Sequence, residues 1–151
     1  MSVNLAVALL MFALLFVLQK RGATGGTGKG GFGSKGKGLP WWAIIGLTVI
    51  GASNLAVTGL GMWIAARLED LVGLFGGASD FLAGAGMIVT IVVVAIDVGR
   101  DHKADKPAIV AVGLLVLLFL VADGPIANAG AQATTSIASA TAGGIGTLIG
   151  A

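Results

Sequence analysis

The 151-residue sequence is 56% hydrophobic and 11% charged, with a mean hydropathy of +1.00, a balance that argues against a water-soluble fold. The absence of cysteine removes disulfides, Cys-ligated zinc, iron–sulfur clusters and thiol nucleophiles. A formal net charge of +2 hides an uneven layout: Lys20, Arg21, Lys29, Lys35 and Lys37 fall close together with no acid among them.

A helix needs roughly 17–25 mostly apolar residues to cross a bilayer, and four segments qualify or nearly so. The first, within residues 1–19, has its apolar body at VNLAVALLMFALLFVL and stops at Gln19-Lys20-Arg21. It is short, and snorkelling of the basic pair extends its reach. Its leading MSVN carries no Lys or Arg and the basic pair follows the apolar run, the reverse of a secretory signal, so the segment is expected to remain as an anchor. Position 2 is Ser and there is no cysteine to acylate, so lipidation signatures are missing.

Residues 20–39 form a loop that reads GATGGTGKGGFGSKGKG after Arg21. Glycine at nearly every second position predicts a tether without regular structure. Its lysines suit lipid headgroups or nucleic-acid phosphates, and the plainer reading is a linker whose charges only set topology. A phosphate-binding loop fails in detail: Gly28-Lys29 is followed by Gly30 where Ser or Thr is required, and Ala23 stands at the first glycine.

The second segment, 40–66, opens with Pro40 and carries Trp41, Trp42 and Trp63 near its ends, where interfacial aromatics belong. Within it Ala52, Ser53, Asn54, Ala56, Thr58 and Gly59 combine small and polar side chains. Ala52, Ala56 and Gly59 recur at helical spacing on one face, which predicts a packing seam within the chain or between copies. A pore or substrate path lined by Ser53, Asn54 and Thr58 is the alternative.

Residues 67–80 form an external loop or interfacial segment, with Arg67 against Glu69, Asp70 and Asp80. The third segment, 81–98, begins with small residues and turns Val/Ile-rich; Thr90 is expected to bond the preceding turn. Asp97 lies at its inner edge as an interfacial acid, with Arg100 and Lys103 as natural ion-pair partners. The loop 99–106 contains RDHKADK and the sole histidine, His102. The fourth segment, 107–123, is followed by Gly124-Pro125, a stop signal. The tail, 124–151, has no charged residue; a weak helix from about Ala129 to Ala142 is expected, lying on the bundle or on a neighbouring subunit, with an unstructured tail as the alternative.

Basic residues are retained on the cytoplasmic side of membranes. The loops 20–39 and 99–106 are therefore assigned inside, and both termini outside. The predicted fold class is all-α, an integral membrane helical bundle of four transmembrane helices in the cell membrane. One histidine beside Asp101 and Asp105, with no nucleophile near it, offers no catalytic set. The expectation is a non-enzymatic protein without metal or cofactor, in contact with the lipid bilayer and forming homo-oligomers.

Four spans, a basic glycine-rich inner loop, no catalytic set and an Ala/Gly/Val-heavy style resemble small multispan membrane proteins of actinobacterial mobile elements. The arrangement is similar to the conjugative plasmid spread proteins that accompany a hexameric DNA translocase. That resemblance, one of size, topology and composition, implies an oligomeric accessory or channel-forming component of DNA transfer. Lys20, Arg21, Lys29, Lys35 and Lys37 would then be the places to meet DNA or the translocase. Two other classes compete: a phage holin, from which the uncharged outer tail departs, and a pilin-like or secretion-channel structural subunit.

Overall fold

The computed structural model describes residues 2–20, 40–74, 76, 79–101 and 106–149. Among them the protein is all-α, with six helices: α1 (Val3–Lys20), α2 (Trp41–Ala56), α3 (Gly59–Gly73), α4 (Ser79–Asp101), α5 (Lys106–Val121) and α6 (Pro125–Ile149).

Helices α1, α2, α4 and α5 form an up-and-down set. Leu15 packs with Ile44 while a Cβ on Gly51 would sit 3.2 Å from Met11 Cβ, so α1 runs antiparallel to α2. Ile44 packs near Ile109 and Ala52 near Val116, so α2 and α5 run parallel. Ala83 and Met87 share a core cluster with Leu118 and Ala122, which sets α4 antiparallel to α5. The buried clusters are built from Ala, Val, Leu, Ile and Met, with Phe12 and Phe119 packed against them, and the small residues let the helix axes approach closely.

The segment expected as one helix over 40–66 is two. α2 ends at Ala56, and α3 leaves at 87° after a break at Val57-Thr58. Thr58 stabilises the corner from both sides: its hydroxyl donates to Leu55 O at 2.6 Å and accepts from Gly61 N–H at 3.2 Å. Thr58 is thus the N-cap of α3, supplying one of the acceptors a new helix start lacks. Gly61 presses against the backbone of Leu55 and Ala56, where any Cβ would collide with the Leu55 carbonyl. α3 also continues through Arg67, Glu69 and Asp70 to Gly73, so the first half of the expected loop 67–80 is helical.

The second corner follows α5. Gly124 takes φ +114, a conformation that favours glycine, and Pro125 opens α6 at an angle of 111° to α5. Gly124-Pro125 therefore turns the chain into a new helix. α6 runs from Pro125 to Ile149, beyond the expected Ala129–Ala142 at both ends, and packs on α5, α2 and α1 of its own chain. Gly130 lies against the Phe119 ring, and Ala127 joins the α4–α5 cluster.

No single described helix is long and apolar enough to cross a membrane; the bent pairs α2–α3 and α5–α6 meet that measure only jointly. At about 1.5 Å per residue, the 18 residues of α1 extend about 27 Å and the 16 of α2 and of α5 about 24 Å.

Candidate functional site

The polar seam expected in the second segment gathers at the C-terminal end of α2. Ala52, Ser53, Asn54 and Ala56 are buried by helices of the same chain. Ala52 and Ala56 face Val116 and its neighbours on α5. Asn54, fully buried, turns to α6: its Nδ2 donates to Thr141 Oγ1 at 2.7 Å and to Ile50 O at 2.9 Å. Thr141 in turn donates to Ile137 O at 2.7 Å. The side chain of Ser53 is also fully buried, and Ser53 Oγ and Asn54 Oδ1 have no hydrogen-bond partner among the described residues.

Two members leave the seam. Gly59 is exposed with open space around it, because the break rotates it away from the face of Ala52 and Ala56. Thr58 serves the corner described above. Gly61 occupies the close-approach position assigned to Gly59, and the sequence signal for it is only a Thr-x-x-Gly spacing after a helix. Thr90 bonds Gly86 O and Met87 O on its own preceding turn, at 3.0 and 2.8 Å.

Asp97 sits about ten residues beyond Met87 on α4, level with the first turn of α5. Its Oδ2 is buried and unpartnered among the described residues. The expected pairing with Arg100 or Lys103 falls outside the described side chains. So do the contacts of Lys20, whose backbone closes α1, and of Arg21, Lys29, Lys35 and Lys37. His102 and Asp105 are likewise outside the described residues.

The helix directions sort the charges by end. Lys20, Arg100 and Lys106 stand where α1 and α4 finish and α5 begins, with Asp97 and Asp101 beside them, while Glu69, Asp70, Asp80 and Asp123 stand on α3, at the start of α4 and after α5. Arg67 is the cation of the acidic end. Its Nη1 lies 2.9 Å from Asp70 Oδ2, with the guanidinium 5.7 Å above the Trp63 ring. The pair is solvent-exposed and contributes at most about 1 kcal/mol.

Beneath α3 lies a groove of about 430 Å³. Met62, Ala65, Ala66 and Glu69, at helical spacing on one face of α3, form one wall; Leu120 of α5 and Thr135 of α6 stand opposite. It exists because the break folds α3 across the ends of α2 and α5, and the alanines are too small to fill the angle. Sequence reasoning passed over this site, since its walls come from three helices around a corner that no proline marks.

The interior is mainly apolar with a few Ser, Thr and Asn side chains among small residues, and the surface also carries many large apolar side chains. Asn54, Ser53, Thr48 and Thr134 are buried, while Phe16, Trp42, Ile88, Val110 and Ile126 are each more than 60% exposed. Among the described residues no three His, Cys, Asp or Glu side chains come together. No protein-family model, curated protein or solved structure matches the chain.

Proposed function

We propose that the chain is a membrane-embedded, non-enzymatic subunit of a homo-oligomeric assembly with an accessory or channel-forming role in DNA transfer. The observation that carries the membrane reading is the apolar surface: large side chains such as Phe16, Trp42, Ile88, Val110 and Ile126 face outward around an interior that is itself apolar and holds buried Ser, Thr and Asn. An apolar surface on this scale needs a non-aqueous partner, and small residues with interhelical hydrogen bonds are how helices associate where lipid removes the hydrophobic drive. The apolar helices are a few ångströms short of a bilayer's hydrocarbon thickness, a mismatch met by local thinning and by snorkelling of basic residues.

The charge sorting supports an orientation with the basic end in the cytoplasm. Lys20 stands at that end, and on the orientation read from the sequence the segment with Arg21, Lys29, Lys35 and Lys37 would lie on the side where DNA and a translocase would be met. Phosphate contacts are sequence-independent and salt-sensitive, which defines the test. The protein purified in detergent is expected to retain double-stranded DNA at low salt and to release it as salt rises. Replacing the five basic residues by alanine should abolish retention without changing oligomeric size. Retention unaffected by these substitutions would remove the DNA-contact role, and abrupt lysis on expression would point instead to a lesion-forming protein.

A further inference from the structure

We infer that the groove beneath α3 is a binding site for a small monovalent organic cation with an apolar body. Its volume of about 430 Å³ lies in the range of small-molecule sites, which are mostly apolar with few polar groups. The charge at this groove is set by which side chains already have partners. Arg67, the cation of α3, is held on another face by Asp70 and Trp63. Asp70 is thereby paired, whereas Glu69 has no ionic or hydrogen-bond partner among the described residues.

The second polar wall is Thr135. Its hydroxyl proton is spent on Ala131 O and Gln132 O, at 3.2 and 3.0 Å, so the oxygen presents only lone pairs. An ionised carboxylate is likewise acceptor-only. The polar side chains lining the groove are therefore a negative charge and an acceptor, set in walls of Ala, Val, Leu and Met. This chemistry complements a cation with apolar substituents and opposes an anion of the same shape. A lipid tail or detergent chain satisfies the walls and ignores Glu69, and the charge requirement separates the two. The inference stands apart from the DNA-transfer reading, because it concerns the acidic end of the bundle and its test uses no nucleic acid.

The test uses the full chain in a non-ionic detergent and a pair of probes with the same shape and opposite charge, tetraphenylphosphonium and tetraphenylborate. Binding is measured by equilibrium dialysis against matched empty micelles. Saturable one-to-one binding of tetraphenylphosphonium is expected, with much weaker binding of tetraphenylborate. Glu69→Gln should weaken the cation about fivefold, the scale of a single partly exposed charge pair. Glu69→Lys should reverse the preference, and Ala66→Phe should block both probes by filling the groove. Glu69 and Ala66 are exposed, so these variants leave the packed interior untouched. Equal binding of the two probes, or cation binding indifferent to Glu69→Gln and Ala66→Phe, would overturn the inference.

Discussion

Asn54 joins two helices with one half of its amide and leaves the other half without a partner among the described residues. The donor half reaches Thr141 on α6, a partner 87 residues away in sequence. Interhelical hydrogen bonds in membrane proteins average about 0.6 kcal/mol and reach about 1.7. A double-mutant cycle of Asn54→Ala and Thr141→Val, read from reversible unfolding in mixed detergent, should give a coupling energy in that range; additivity of the two changes would deny the bond. Asn54 stood out in the sequence as a polar residue deep in an apolar run. Thr141 did not, because hydroxyls recur throughout the tail and nothing local distinguishes the one that faces α2.

Glycine substitutions separate close approach from mere flexibility. A Cβ at Gly130 would enter the Phe119 ring and one at Gly61 would enter the Leu55 carbonyl, whereas one at Gly46 would meet no atom of the other described residues, its own helix backbone aside, within 4 Å. Gly130→Ala should destabilise by about 1–3 kcal/mol, the cost of overpacking. Gly61→Ala should be at least as harmful, since its obstacle is backbone and not a movable ring. Gly46→Ala, inside α2, should instead stabilise by about 0.5–1 kcal/mol through helix propensity. The same unfolding measurement ranks all three, and a harmless Gly61→Ala would mean that the corner is not closed as described.

At the scale of elements, the two corners decide the architecture. The first was hidden in VTGLGMW, which is apolar apart from Thr58 and contains no proline; only the Thr58 hydroxyl, capping α3 while holding Leu55 O, reveals it. Thr58→Ala should cost about 1 kcal/mol, with Thr58→Ser recovering most of it. The second corner was legible as Gly124-Pro125, but its role was not: the same pair that ends one helix pre-sets the backbone for the next.

The tail's helix was underestimated because its apolar residues are sparse. Its alanine content favours a helix on propensity alone, and α1, α2 and α5 supply the packing that an isolated peptide lacks. Truncation after Asp123 removes all of α6, uncovering Asn54 and the Phe119 ring. The shortened protein should lose stability in detergent even where its oligomeric size is retained. Unchanged stability would show that α6 does not pack as described.

Over the whole molecule, charge placement was the most legible property. Loop counts separated a basic side from an acidic side, and the antiparallel packing of α1 with α2 and α4 with α5 places the described Lys20 and Lys106 at one end and Glu69, Asp70 and Asp123 at the other, with Asp97 and Asp101 beside the bases. The 87° and 111° turns were not legible, because they depend on caps and contacts between helices distant in sequence. Together they turn four expected helical segments into six helices, α3 and α6 leaving α2 and α5 at steep angles.

The central claim is that lipid covers the exposed apolar flank while the basic and acidic ends emerge on opposite sides. The chain has no cysteine, so single cysteines give a clean readout with a membrane-impermeant maleimide in intact and permeabilised cells. Asp123→Cys should label in intact cells, Lys35→Cys only after permeabilisation, and Ile88→Cys, on the exposed flank of α4, in neither condition. Labelling of Ile88→Cys in intact cells, or of Lys35→Cys and Asp123→Cys from the same side, would contradict the account.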